Sequence, residues 1–115
     1  GAAVQAVAAA SGAIVWLLEG NAAQVEQAAC AVLGIHAGIL CDGAKGGCAL
    51  KAASGVETAV RWTSYTRRSR RVHPGNGLIS QTLRETARNV ATVAKEGMRD
   101  IDQHVLDIIE RTAPR

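Results

Sequence analysis

The sequence predicts an all-α domain of about five helices packed through small residues. Three observations predict it. Apolar residues recur at helical spacing in five stretches, and no strand-like alternation runs for more than a few residues. Polar pairs three residues apart mark helix starts: Asn21 with Gln24, Thr82 with Glu85, Asp100 with Gln103. Hydrophobic residues are 48% of the 115, yet aromatics are only 3% and there is no Phe. Ala, Val, Leu, Ile and Gly must therefore fill the core. Such side chains suit closely packed helices but bury little area each. Part of the apolar surface is expected to need a partner, either the rest of a longer protein or a second copy.

The first helix is expected from Ala2 to Leu18, apolar almost all round and hence central. It carries Gln5, Ser11 and Gly12 and has no basic flank, so it reads as a buried helix and not as a membrane span or signal. Glu19-Gly20-Asn21 ends it, and Asn21 caps the second helix. That helix runs to about Gly38, with Val25, Ala28, Ala29, Val32, Leu33, Ile35 and Ile39 as its buried stripe. Gly34 and Gly38 share a face on which another backbone can approach closely. A third helix follows from Cys48 to about Thr63, patterned by Ala49, Leu50, Ala53, Val56 and Val60. Residues 63–77 hold a basic run and His73-Pro74-Gly75-Asn76-Gly77, which is strong turn chemistry. The fourth helix is expected from about Leu83 to Glu96, with Gly97 as its stop. The last spans about Ile101 to Thr112, with Ile101, Val105, Ile108 and Ile109 inward, and Pro114 follows it.

The stretch from Gly38 to Ser54 is the most informative. It holds two of the three cysteines, Cys41 and Cys48, and four of the twelve glycines. In a continuous helix the two cysteines would lie two turns apart, roughly 10 Å along the axis. Gly43, Gly46 and Gly47 disfavour helix, so a loop is expected, and a loop can fold Cys41 back towards Cys48. Cys48 would then sit near a helix start, where free N–H groups favour a thiolate, the form that ligates metal. Cys30 reads as a core cysteine and His36 as a satisfied, partly buried histidine. His73 belongs to a turn and His104 to the surface.

The formal charge of +3 is too slight to imply nucleic acid. Arg67, Arg68, Arg70 and Arg71 lack interleaved aromatics beyond Tyr65, so a solvated loop is favoured over a nucleic-acid interface. An odd cysteine count without a secretory framework points to a reduced, cytoplasmic setting.

Cys41-Asp42-Gly43-Ala44-Lys45, two residues, then Cys48-Ala49-Leu50-Lys51 resembles the signature of iron–sulfur L-cysteine desulfidases and L-serine dehydratase α-chains. Residues 12–18, Val25-Glu26-Gln27-Ala28-Ala29, Gly38-Ile39-Leu40, Glu85-Thr86-Ala87-Arg88-Asn89 and Glu96-Gly97-Met98 are similar too. The likeness covers nearly the whole chain, Arg67–Arg71 being least typical. It implies a helical catalytic region and a four-iron, four-sulfur cluster held by three cysteines, with one iron open as a Lewis acid. The implied reaction is β-elimination on L-cysteine or L-serine, giving pyruvate and ammonia, plus sulfide from cysteine. Cys41 and Cys48 would be metal ligands. Asp42, Lys45 and Asn89 would be candidates for substrate binding.

Two features depart from that pattern. Family members are several times longer, so residues 1–115 are expected to be a single helical domain matching their C-terminal part. The N-terminal part, with the catalytic base, would lie elsewhere. The third ligand is expected at the first helix start, where Gly1, Ala2 and Ala3 stand, and Cys30 does not match it. These residues alone are therefore not expected to assemble the cluster. The alternative is a stand-alone helical remnant or oligomerising domain without catalysis.

Overall fold

In a computed structural model, which describes residues 2–41 and 43–114, the chain forms five α-helices and no strand among the described residues. They are α1 (Ala2–Leu17), α2 (Ala22–His36), α3 (Gly46–Arg67), α4 (Leu83–Thr92) and α5 (Ile101–Thr112), with a π-helical segment, Val93–Gly97, extending α4. The capping box at the start of α2 forms in full. Asn21 Oδ1 accepts from Gln24 N–H at 2.8 Å, and Gln24 Oε1 accepts from Asn21 N–H at 3.0 Å. Thr82 caps α4 by accepting from Glu85 N–H at 3.1 Å. Asp100 was expected to cap α5, but its side chain makes no capping bond there.

The central helix is α2 and not α1. It packs against α1, α3 and α4, and buries Ala28, Ala29, Cys30, Ala31, Val32, Leu33 and His36. α1 packs only against α2 and α3. One side of α1 is therefore left to solvent, with Trp16 68% and Leu17 69% exposed. An all-apolar helix has no face that composition alone singles out for burial, so neighbours decide. Ile35 and Ile39, expected inside, are exposed: the last turn of α2 buries Leu33 and His36 and leaves Ile35 on its outer side, and Ile39 lies beyond the helix end.

Small residues allow close approach at Gly34, as expected, and also at Gly55, but not at Gly38. A Cβ at Gly55 of α3 would come within 2.7 Å of Val7 Cγ2 on α1. At Gly34 it would meet Ile79 Cγ1 at 2.5 Å, so this glycine seats the segment before α4. Gly38 lies beyond α2, in a turn. α3 is longer than expected at both ends. It buries Gly55, Ala59, Thr63 and Thr66, whereas its apolar stripe stays outside, with Val56 58% and Leu50 73% exposed. Close approach to α1 selects the small face of α3 over the greasy one.

The expected continuous fourth helix widens at its end. Met98 N–H donates to Val93 O at 2.9 Å, five residues back, which is the π pattern. α5 follows and packs against no other helix. Ile101, Val105 and Ile109 are half-buried and Ile108 is exposed, so its expected inward face is only partly covered. Among the described residues no helix is long and apolar enough to cross a membrane.

Candidate functional site

The segment between α2 and α3 reverses the chain through consecutive residues with positive φ, Gly43 at 75° and Ala44 at 57°. Glycine takes this conformation without a steric penalty, and alanine does not. The reversal is held from two sides. Lys51 of α3 donates from Nζ to Leu40 O at 2.6 Å, and Cys48 N–H donates to Lys45 O at 2.9 Å. From the C-terminal side α5 closes down so tightly that a Cβ at Gly43 would lie 2.6 Å from Ile109 Cδ1.

This geometry brings the cysteines together. Cys41 Sγ, exposed on the loop, lies 3.8 Å from Cys48 Sγ, half-buried in the first turn of α3. The backbone N–H of Ala44, then that of Gly43, hold the Cys41 thiol below its ordinary value of 9.0, and Cys48 adds to this. Loss of solvent, and then the charge of Asp102 on the first turn of α5, push the other way. Asp102, Ile101 and Val105 of α5 form one wall of an open cleft of about 530 Å³. Ile39, Leu40 and Cys41 form the facing wall, and Met98 sits at the end of the π segment. Asp102 is the one charged side chain among the described residues lining this cleft.

The other predicted residues fall as follows. Lys45 is the exposed residue before α3 and makes no capping side-chain bond. Asn89 donates from Nδ2 to Leu78 O at 2.9 Å, so its amide anchors the segment ahead of α4. Asp42 lies outside the described residues, as does Gly1 among the positions considered for a third ligand. Cys30 is buried in the hub, where Thr86 Oγ1 donates to its Sγ at 3.7 Å. Burial pushes this thiol up from its ordinary value. His36 is buried, with Nδ1 2.9 Å from Val32 O, so that nitrogen carries the proton and its bond is satisfied within α2. Arg67, Arg68, Arg70 and Arg71 are all exposed around the end of α3.

Sequence reasoning missed three contributors. Lys51 was visible beside Cys48, but its role as a strap depends on where the loop carbonyls point. Asp102 reaches the site only through the placement of α5, 61 residues along the chain from Cys41, and no local signal marks it. Glu26 Oε1 accepts from Leu83 N–H at 2.7 Å, capping α4 from α2, which is again a long-range contact.

Two neighbouring cysteine sulfurs are suitable soft ligands once they release their protons. Their separation is close to the edge of a tetrahedron with metal–sulfur arms of about 2.3 Å. In a four-iron cubane each cysteine binds a different iron, so the two sulfurs would have to part to accept one. Among the described residues no group of three His, Cys, Asp or Glu is arranged to hold a metal ion. The described residues thus offer two soft donors and do not by themselves fit a whole cluster.

The family model described as serine dehydratase alpha chain matches residues 1–107. Among curated relatives, a UPF0597 protein of Lachnoclostridium phytofermentans is 37% identical, over 93% of this chain and 26% of its own length. One from Fervidobacterium nodosum is 38% identical over 95% of this chain and 26% of its length. One from Elusimicrobium minutum is 34% identical over 96% and 26%. The chain therefore spans about a quarter of the length of the curated relatives it matches. No solved structure matches.

Proposed function

The chain belongs to the serine dehydratase alpha chain family, and from that premise we propose that it serves as the cysteine-bearing C-terminal part of a β-eliminating amino-acid lyase. The observation that carries this reading is the Cys41–Cys48 pair, 3.8 Å apart, with Cys41 on the loop lining an open cleft and Cys48 in the first turn of α3. In this reading the pair supplies two of the thiolates for an iron–sulfur cluster, and the third donor comes from outside these residues. When bound, such a cluster supplies a Lewis-acid iron for the departing thiol or hydroxyl of L-cysteine or L-serine. This chain's own part is to fix the loop through Lys51 and Ile109, to wall the cleft with apolar side chains, and to present Asp102 to it. Asp42 and Lys45 remain candidates for meeting the substrate's ammonium and carboxylate. The base that removes the α-proton belongs to the remainder of the longer relatives.

The exposed apolar side chains Trp16, Leu17, Leu50 and Val56 support a reading in which further protein covers α1 and α3. Such protein is either the rest of a longer polypeptide or a second copy.

The test is anaerobic reconstitution with ferrous iron and sulfide. It is run on this chain alone and on this chain mixed with the N-terminal three-quarters of the Lachnoclostridium relative. Bound iron and visible absorbance are read first, then pyruvate from L-cysteine and from L-serine. The expected result is iron and pyruvate in the mixture, both lost in Cys41→Ser. A folded, helical chain that takes up no iron in either setting overturns the proposal.

A further inference from the structure

The distance between Cys41 and Cys48 bears on a second chemistry that needs no metal. Two sulfur atoms 3.8 Å apart are in van der Waals contact, and a disulfide requires about 2.05 Å. The shift needed is under 2 Å. Cys48 rides in the first turn of α3, but Cys41 sits on an exposed loop that holds Gly43 and ends where α3 begins at Gly46. Because Cys41 lies outside both helices, rotation about its own side chain can take up part of that gap without moving α2 or α3. Both sulfurs are reachable from solvent, whereas Cys30 is enclosed in the hub and too constrained to compete. The exposed cysteine is thus paired with a more fixed one placed to attack it.

We propose that Cys41 and Cys48 form a reversible dithiol–disulfide site that reacts with low-molecular-weight disulfides of the glutathione type. In the first step the Cys41 thiolate, its proton given to solvent, attacks one sulfur of the small disulfide. The S–S bond breaks and one small thiolate leaves with the electron pair and takes up a proton. In the second step the Cys48 thiolate attacks Cys41 Sγ, the Cys41–Cys48 bond forms, and the second small thiol departs. Two protein thiols are oxidised and one small disulfide is reduced to two thiols. The bond itself does not depend on the lyase reading. Its consequence does: with both sulfurs in the disulfide, neither can ligate iron, and the site is held metal-free until a reductant restores it.

The experiment uses the whole chain, reduced, freed of reductant under argon, and then exposed to excess oxidised glutathione. Intact mass is expected to fall by about 2 Da with no adduct retained, since two hydrogens leave. Peptide mapping should join residue 41 to residue 48 and leave Cys30 reduced, and dithiothreitol should restore the original mass. Cys41→Ser and Cys48→Ser, both at the loop and away from the buried hub, should each stop at a glutathione adduct on the remaining partner. Circular dichroism confirms that the variants keep their helices. A wild-type chain that accumulates the glutathione adduct, or a bond that maps to Cys30, overturns the proposal. Iron uptake measured on the same samples separates the two readings. A disulfide that forms in a chain taking up no iron, even beside the N-terminal part, sinks the metal reading and leaves this one. Iron uptake without any disulfide does the reverse.

Discussion

The hub around α2 and the cysteine loop with α5 are held by different means. α2 buries seven side chains against three neighbouring helices. α5 buries none and touches no other helix, lying instead over the loop, where Ile109 meets Gly43. The radius of gyration is 15.6 Å, against about 13 Å for a compact chain of this length. The difference teaches where stability and chemistry reside. The hub is a packed core of small residues. The loop is shaped by backbone conformation, the strap from Lys51 and the contact with Ile109, and it brings Cys41 beside Cys48 at the start of α3. Packing makes the fold, and a lightly held periphery presents the site.

The largest effect should separate the two regions directly. Leu33 is buried in the core cluster with Val7, Val32 and Ala59. Leu33→Ala should cost about 2–4 kcal/mol, the usual range for deleting a buried leucine side chain. In a domain of this size that lowers Tm by on the order of 10 °C or more. Leu106→Ala removes a side chain that is half exposed on α5 and should cost less than about 0.5 kcal/mol. Chemical denaturation of both variants decides it. Equal losses would mean that α5 is part of one cooperative core and that the division between hub and periphery is false.

The cysteines sharpen the same contrast through pH. Cys30, in the hub, has its thiol pushed up from 9.0 by burial. Its contribution to stability is present below the unfolded value and is lost as pH rises through the folded one. Cys41, on the loop, has its thiol lowered from 9.0 by the Ala44 and Gly43 N–H groups. Its contribution is present above the unfolded value and is lost as pH falls through the folded one. The two slopes are opposite in sign, and Cys30→Ala and Cys41→Ser should each remove one of them. Iodoacetamide should label Cys41 at a pH below the ordinary thiol range, while Cys30 stays unlabelled until the hub unfolds. Early labelling of Cys30 would show that the hub opens as readily as the loop.

What the sequence made legible follows from the range of each interaction. The helices were readable because spacing and caps are local: Asn21 with Gln24 and Thr82 with Glu85 appear where expected. The meeting of Cys41 with Cys48 was readable from the loop that Gly43 allows, although Gly46 and Gly47, expected in that loop, begin α3 instead. Which helix is central was not. α1 is more apolar than α2, and only the three-sided contacts of α2 decide the matter. The buried face of α3 was hidden for a related reason, since Gly55, Ala59, Thr63 and Thr66 look weaker than Val56 and Val60 on any apolar scale. They win because α1 must come close. Asp102 and the Glu26 cap on α4 depend on contacts tens of residues apart, which no local pattern encodes.

The smallest effect tests how independent the periphery is. Ala44 holds φ of 57°, where an L side chain with a Cβ is disfavoured by about 1–2 kcal/mol. Ala44→Gly relieves that penalty but adds freedom to the unfolded chain, a loss of about 0.4–1 kcal/mol. The net gain should be about 0.5 kcal/mol, since the two effects partly cancel. Where that gain shows is the informative part. If the loop opens on its own, the Cys48 amide bonded to Lys45 O should exchange about twofold more slowly, and the Tm of the hub should not move. If loop and hub unfold together, the same substitution should raise Tm by a few degrees and slow exchange across α2 as well. The first pattern keeps the site as a separately opening unit, free to rearrange around a metal or a disulfide while the core stands still. The second makes the loop part of the core after all, and any rearrangement there would then strain α2.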